Sequence, residues 1–163
     1  MINMVRIDDR LIHGQVAVKW SKELGISRIV VISDKIATNE IQISALKMAA
    51  PAGVKAAISP LDKAIKILND PRSEALKILV VTNDPKYVAG LVPQLTQKPR
   101  LNIANYGRIG GVLSDKRKVT ETVYLSETDE QIFQEMFADG YDFTYQPLPS
   151  DPEQSLNQLL GGH

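Results

Sequence analysis

A histidine stands at position 13, an arginine three residues before it and two aspartates before that: the run reads Asp8-Asp9-Arg10-Leu11-Ile12-His13-Gly14-Gln15. These residue types suit transfer of a phosphoryl group to an imidazole. A neutral imidazole offers a nitrogen lone pair and an ordinary pKa of about 6.5, so much of it is nucleophilic near pH 7. The accepted group carries about two negative charges and needs donors already in place: a guanidinium, backbone N–H groups, a helix N-terminus. Arg10 can supply the first, and the amides of Gly14 and Gln15 can supply the others at the start of a predicted helix. His13 is therefore the candidate nucleophile, Arg10 the candidate phosphate stabiliser, and Gly14 and Gln15 the candidate amide donors.

Asp8 and Asp9 admit three readings. They could orient Arg10 or the imidazole, as carboxylates do for catalytic histidines. They could bind a divalent cation such as Mg²⁺. Or one caps the following turn while the other is solvated. Elsewhere, the loop through Gly107, Gly110 and Gly111 matches neither a dinucleotide fingerprint nor a Walker A sequence and reads as a mobile surface loop. Trp20 reads as a core residue, and His163, at the chain's end, as inert.

The elements that must position this cluster alternate. Residues 2–7, 28–33 and 77–82 are nearly continuous aliphatic runs, the mark of strands covered on both faces, and 54–58 and 100–103 are shorter candidates. Helical patterns occupy 15–24, 40–50, 61–68 and 85–91; in the second, Ile41, Ala45, Leu46 and Met48 fall near one face. Pro51-Ala52-Gly53 stops that helix, and Pro60 and Pro85 stand where strands hand over to helices. Beyond the glycine loop, 118–124 reads as an additional strand and 127–138 as a helix capped by Ser126 or Thr128 and stopped by Gly140. Residues 142–148 read as a last strand and 151–160 as a closing helix begun by Pro152. This alternation predicts an α/β fold: one domain over 1–163, an open, mostly parallel sheet with helices on both faces. The carboxyl end of a strand in such a sheet is where ligands are handled, and His13 follows the first strand there.

An apolar fraction of 44% and a charged fraction of 23% belong to a globular domain, which excludes a disordered chain. With 19 basic and 19 acidic residues there is no electrostatic footprint for nucleic acid or anionic lipid. Without cysteine, disulfides, thiol catalysis and Cys-based metal sites are excluded. No signal peptide is evident and no apolar run approaches the ~18 residues of a membrane span, so a cytoplasmic protein is expected.

The segment from Val5 to Val16 closely resembles the phosphorylation-site segment of the IIB components of the mannose/fructose/sorbose family of bacterial sugar phosphotransferase systems. The likeness continues in order through Ile32-Ser33-Asp34, Lys47-Met48-Ala49-Ala50-Pro51, Lys77-Ile78-Leu79-Val80-Val81, Asn102-Ile103 and Pro149-Ser150-Asp151. The resemblance implies that Nδ1 of His13 accepts a phosphoryl group from a phosphohistidine of a IIA protein. His13 then passes it to a sugar during uptake through a membrane IIC/IID permease, with Arg10 beside the phosphate. No cofactor and no obligatory metal are implied. A free-standing subunit is expected, and a homo-oligomer stays open. Two positions depart from the family's pattern: Ala104, where Gly is common, and Gln146, where Arg is common. Both are expected to lie away from His13 and to bear on partner contacts or loop shape.

The alternative class is a response-regulator-like receiver, which also has an acidic pair after its first strand. It needs a phospho-accepting aspartate at the end of its third strand, and here that strand ends Ala57-Ile58-Ser59-Pro60. A nucleotide- or metabolite-binding protein would need a glycine-rich first turn, and only Gly14 is there.

Overall fold

β1 (Ile2–Asp8) runs through the middle of a seven-stranded sheet in the computed structural model, which describes residues 1–162; His163 lies outside them. α1 (Gly14–Leu24), β2 (Arg28–Ile32), α2 (Glu40–Ala49), β3 (Lys55–Ser59), α3 (Leu61–Asn69), β4 (Ile78–Thr82), α4 (Pro85–Leu91) and β5 (Arg100–Asn105) follow in strict alternation. After them come β6 (Arg117–Lys118), β7 (Tyr124–Leu125), α5 (Glu127–Ala138), β8 (Thr144–Tyr145), β9 (Gln154–Ser155) and α6 (Leu156–Leu159). The sheet order is β3-β2-β4-β1-β5-β8-β9. Every pairing in it is parallel except that of β9 with β8.

Because side chains alternate along a strand, each aliphatic run feeds two cores. Val5, Ile7, Val30, Ile32, Val80 and Ile103 pack with Ala64 and Leu68 of α3, Val88 and Leu91 of α4, and Phe133 and Met136 of α5. Met4, Ile29, Val31, Leu79 and Val81 pack on the opposite face with Ala17 and Trp20 of α1. Full burial of such a side chain stabilises by roughly 1.5–3 kcal/mol, so these two layers set the strand register. Caps punctuate the helices. Gly25 takes φ 63° and closes α1 with bonds to Ser21 and Lys22; Ser126 and Asp129 form a reciprocal capping box on α5.

Four expectations need correction. α2 buries none of its residues: Ile41 and Met48 are 84% and 86% exposed, and of the predicted face only Leu46 packs on a core. The helix lies over the sheet's edge strand β3, itself half in water, so there is little core to cover. The strand expected at 118–124 is a hairpin, β6 antiparallel to β7, because the Thr120 hydroxyl accepts the amides of Thr122 and Val123 and closes a turn in its middle. The strand expected at 142–148 shrinks to Thr144–Tyr145, since Pro147 has no amide to donate. Its partner is Gln154–Ser155, taken from the start of the expected closing helix, so α6 begins only at Leu156 with Ser155 as N-cap. Among the described residues no helix is long and apolar enough to cross a membrane.

Candidate functional site

Alternation in β1 sends Met4, Arg6 and Asp8 to the α1 face. Arg6 is 3% exposed, a charge inside an apolar strand, and each of its two terminal nitrogens makes two hydrogen bonds. Nη1 donates to Oδ1 of Asn102 at 2.8 Å and to the Gln146 carbonyl at 3.3 Å; Nη2 donates to Oδ2 of Asp8 at 3.1 Å and to the Pro147 carbonyl at 3.0 Å. Asn102 is Arg6's register partner on β5, and the guanidinium lies 5.4 Å from the Trp20 ring centroid. Trp20 Nε1 also donates to the Pro147 carbonyl, at 2.9 Å. Burial lowers the Arg6 pKa, and Asp8 acts against that shift.

Past Asp8 the chain turns back, with the Leu11 amide donating to the Asp8 carbonyl at 3.0 Å. Leu11 takes φ 57°, a left-handed conformation that costs a branched residue roughly 1–3 kcal/mol. Burial of Leu11 and Ile12 in the α1-side core holds that turn in place. It delivers His13 to the N-cap of α1 and to Asp8: Nε2 lies 3.0 Å from Oδ2 of Asp8. A neutral imidazole facing a carboxylate carries its proton on the facing nitrogen, so Nδ1 keeps the lone pair. The His13 side chain does not cap α1, and the amides of Gly14, Gln15 and Val16 have no acceptor among the described residues. An unpaired helix start is a seat for an anion. The His13 side chain is 16% exposed, accessible at the sheet's carboxyl edge yet fixed.

Asp8, 1% exposed, accepts from Arg6 and His13 on Oδ2 and from the Arg10 amide on Oδ1 at 2.9 Å. Burial would raise its pKa; the His13 hydrogen bond, the Arg6 charge and the Arg10 amide outweigh it and hold the carboxyl below the usual range. Asp9 departs from the expectation that it orients Arg10 or the imidazole. It accepts the Gly107 amide on Oδ2 at 2.8 Å, and burial pushes its pKa up to about 6. Both carboxylates are thus committed to protein donors, which argues against their converging on a cation. The Arg10 guanidinium is exposed and has no partner among the described residues.

Arg6, Asn102 and the Trp20 indole N–H were not legible as site residues, although a lone arginine in the strand Met4-Val5-Arg6-Ile7 was the available signal. Gln146 was expected to lie away from His13 and does not: its carbonyl accepts from Arg6, which is itself two hydrogen bonds from His13. Its side chain Nε2 ties down the Pro149 and Asp151 carbonyls. Ala104 is buried inside β5, its carbonyl bonded by the Thr122 hydroxyl. The glycine loop is pinned at Gly107 rather than free.

The acidic pair at the end of β1 has no receiver-like counterpart. β3 is the outer edge of the sheet, separated from β1 by β2 and β4, and it ends in Ser59. What the fold and the β1–α1 junction match is a family of sugar phosphotransferase subunits. The model of the PTS system sorbose subfamily IIB component matches residues 2–163, and the chain belongs to this family. It is 38% identical to a Streptococcus pyogenes serotype M6 protein named "Probable phosphotransferase enzyme IIB component", over 98% of this chain and 99% of that one. It is 31% identical to the mannose-specific EIIAB component of Escherichia coli K12, over 98% of this chain but 48% of that longer protein. The crystal structure of the IIBSor domain of the sorbose permease from Klebsiella pneumoniae superposes with a TM-score of 0.90 at 30% identity, covering 99% of this chain and 96% of that one.

Proposed function

We propose that His13 is the phosphorylation site and that the chain, as one IIB-type domain over residues 1–163, carries a phosphoryl group from a IIA protein to a sugar. One observation carries the reading: Asp8 holds Nε2 of His13, leaving Nδ1 as the free ring nitrogen at the unpaired start of α1.

In the first step Nδ1 attacks the phosphorus of a phosphohistidine on IIA. The Nδ1–P bond forms, the donor's P–N bond breaks, and the donor imidazole leaves with the electron pair. His13 becomes an imidazolium whose charge Asp8 balances through the Nε2 proton, the service a buried carboxylate gives a catalytic histidine. The exposed Arg10 guanidinium and the amides of Gly14 and Gln15 bind the phosphoryl oxygens, so positive charge comes from protein and no metal is required. In the second step a sugar hydroxyl oxygen attacks the same phosphorus, the Nδ1–P bond breaks, and the hydroxyl proton passes to solvent. This makes the protein a protein-Nπ-phosphohistidine–sugar phosphotransferase. It would work in the cytoplasm, at the inner face of a membrane IIC/IID permease.

The test is the chemistry of the labelled residue. Incubation with phosphoenolpyruvate, the general phosphotransferase proteins and IIA should give an acid-labile, alkali-stable label that vanishes in His13→Gln while the fold is kept. A base-labile label, or one that persists in His13→Gln, would move the chemistry to a carboxylate.

A further inference from the structure

The segment 107–116 is fastened to the strand end that delivers His13, and Asp9 makes the fastening. Its carboxylate accepts the Gly107 amide at 2.8 Å, and its own amide donates to the Asn105 carbonyl at 2.7 Å. The base of the loop is also paired on its other side: the Tyr106 amide donates to Thr122 and the Tyr124 amide to Tyr106, both at 2.8 Å. Gly107 itself is wedged in, with φ 89° and an added Cβ only 1.8 Å from the Tyr124 carbonyl oxygen. Higher up, Lys116 Nζ donates to the Gly107 and Gly110 carbonyls at 2.7 and 2.8 Å, and Arg108 reaches Oδ1 of Asn105 at 3.2 Å. On this braced frame Ile109, Val112 and Leu113 stand 71%, 59% and 47% exposed. Three large aliphatic side chains held out into water on one short loop are what a protein-docking surface needs.

We propose that Asp9 is a positioning residue: it latches the 107–116 loop to the end of β1 that leads to His13, so that Ile109, Val112 and Leu113 dock the phosphodonor IIA protein. The docking half rests on the phosphoryl-carrier reading; the latch does not. The donor is favoured as occupant because the His13 side chain is only 16% exposed and its outer nitrogen must be met by another protein's imidazole. A ring that short brings its whole protein surface onto the rim around His13, whereas a sugar would touch only the phosphate. The latch needs an acceptor, not a charge, so an asparagine Oδ1 can replace the carboxylate.

Asp9→Asn and Asp9→Ala in the full chain separate these claims. Local opening exposes a loop to protease in proportion to its population, so Asp9→Ala should raise tryptic cleavage at Arg108, Lys116 and Arg117 about ten-fold, with Asp9→Asn near wild type. In phosphorylation by phospho-IIA, Asp9→Ala should raise KM about ten-fold with kcat within about three-fold, and Asp9→Asn should restore it. Leu113→Ser should raise KM without changing cleavage at Arg108. Unchanged cleavage in Asp9→Ala, or equal damage in Asp9→Asn, overturns the latch. A loss of kcat at constant KM, or a defect confined to transfer onto sugar, overturns the docking assignment. If wild-type protein takes no label on His13, the carrier reading and the docking half fall together, and the protease result still decides the latch.

Discussion

Nε2 of His13 and Oδ2 of Asp8 are 3.0 Å apart, and that single contact decides which ring nitrogen keeps its lone pair free. The carboxylate cannot swing away from the ring, because Arg6 and the Arg10 amide hold it from two other directions. Arg6 is fixed in turn by Asn102 and by the carbonyls of Gln146 and Pro147, so the imidazole's orientation is set by two strands, β1 and β5, and the segment after β8 together. On the proposed carrier role this matters twice, since each of the two encounters would find Nδ1 already aimed.

The Arg6–Asp8 pair can be separated into stability and function. Removing one member leaves the other buried and unpaired, so Arg6→Met and Asp8→Leu should each cost about 3–5 kcal/mol. In Arg6→Met/Asp8→Leu neither charge remains. The Gln146 carbonyl keeps Asn102 Nδ2 and the Pro147 carbonyl keeps Trp20 Nε1, so Oδ1 of Asn102 is the one buried acceptor left without a donor. The Arg10 amide and Nε2 of His13 also lose Asp8 as acceptor, but both sites are only partly buried and can turn to water. The double variant should therefore lose only about 1–3 kcal/mol, far less than the sum of the singles. Phosphoryl transfer should stay slowed by ~10²-fold or more, because the imidazole has lost its partner. Urea denaturation and label kinetics read the two effects separately, and a double variant as unstable as the summed singles would show that the pair is not what the fold depends on.

What could be read from the chain follows the strength of the local signals. β1 to β5 and α1 to α5 were legible because aliphatic runs and Pro, Gly and Ser punctuation coincide there. His13, Arg10 and the α1 amides could be grouped as candidates because they sit within six residues of one another. Arg6 could not be, since its partners Asn102, Gln146 and Pro147 are 96, 140 and 141 residues away and only the fold brings them together. Asp9 was misread for the same reason: its partner Gly107 is 98 positions on. The face of α2 was misread because periodicity identifies an apolar stripe but not whether a core lies beneath it. At the tail, Gln154–Ser155 paired with Thr144–Tyr145 because a free sheet edge outcompeted a short helix of weak propensity.

Arg10 offers a cleaner test of electrostatics, because its guanidinium is exposed and bears no structural bond among the described residues. Arg10→Lys keeps a positive charge but loses the forked donors that match phosphate geometry. Transfer onto His13 should slow about ten-fold or more, as loss of a charge-assisted contact of at least ~1.4 kcal/mol requires. Arg10→Ala should slow it further. The denaturation midpoint should hardly move in either variant, since only the Arg10 amide is used in the fold. Unchanged rates in both variants would remove Arg10 from the reaction.

Asp9 gives the protein a pH signature that runs opposite to the usual one for a carboxylate. Burial raises its pKa to about 6, against the pull of the Gly107 amide and with a contribution from the neighbouring Asp8; Lys116 and Arg108 act to lower it. The unfolded chain releases this proton near pH 3.9, so between about pH 4 and about pH 6 the folded state binds more protons than the unfolded one. Stability from Asp9 is therefore fully present below the unfolded pKa and is lost as pH rises through the folded one. Asp8, whose pKa is lowered, contributes in the opposite sense: its stabilisation is lost only as pH falls below the ordinary carboxylate range, outside that window. Asp9→Asn removes the titration while keeping an acceptor for Gly107. Its urea midpoint, compared with wild type, should rise progressively from about pH 4.5 to about pH 7 and then stay level, by less than the full shift implies because the side chain is partly in water. Midpoints that run parallel across that range would show that Asp9 pays no cost for its charge and that the carboxylate is solvated in the folded protein.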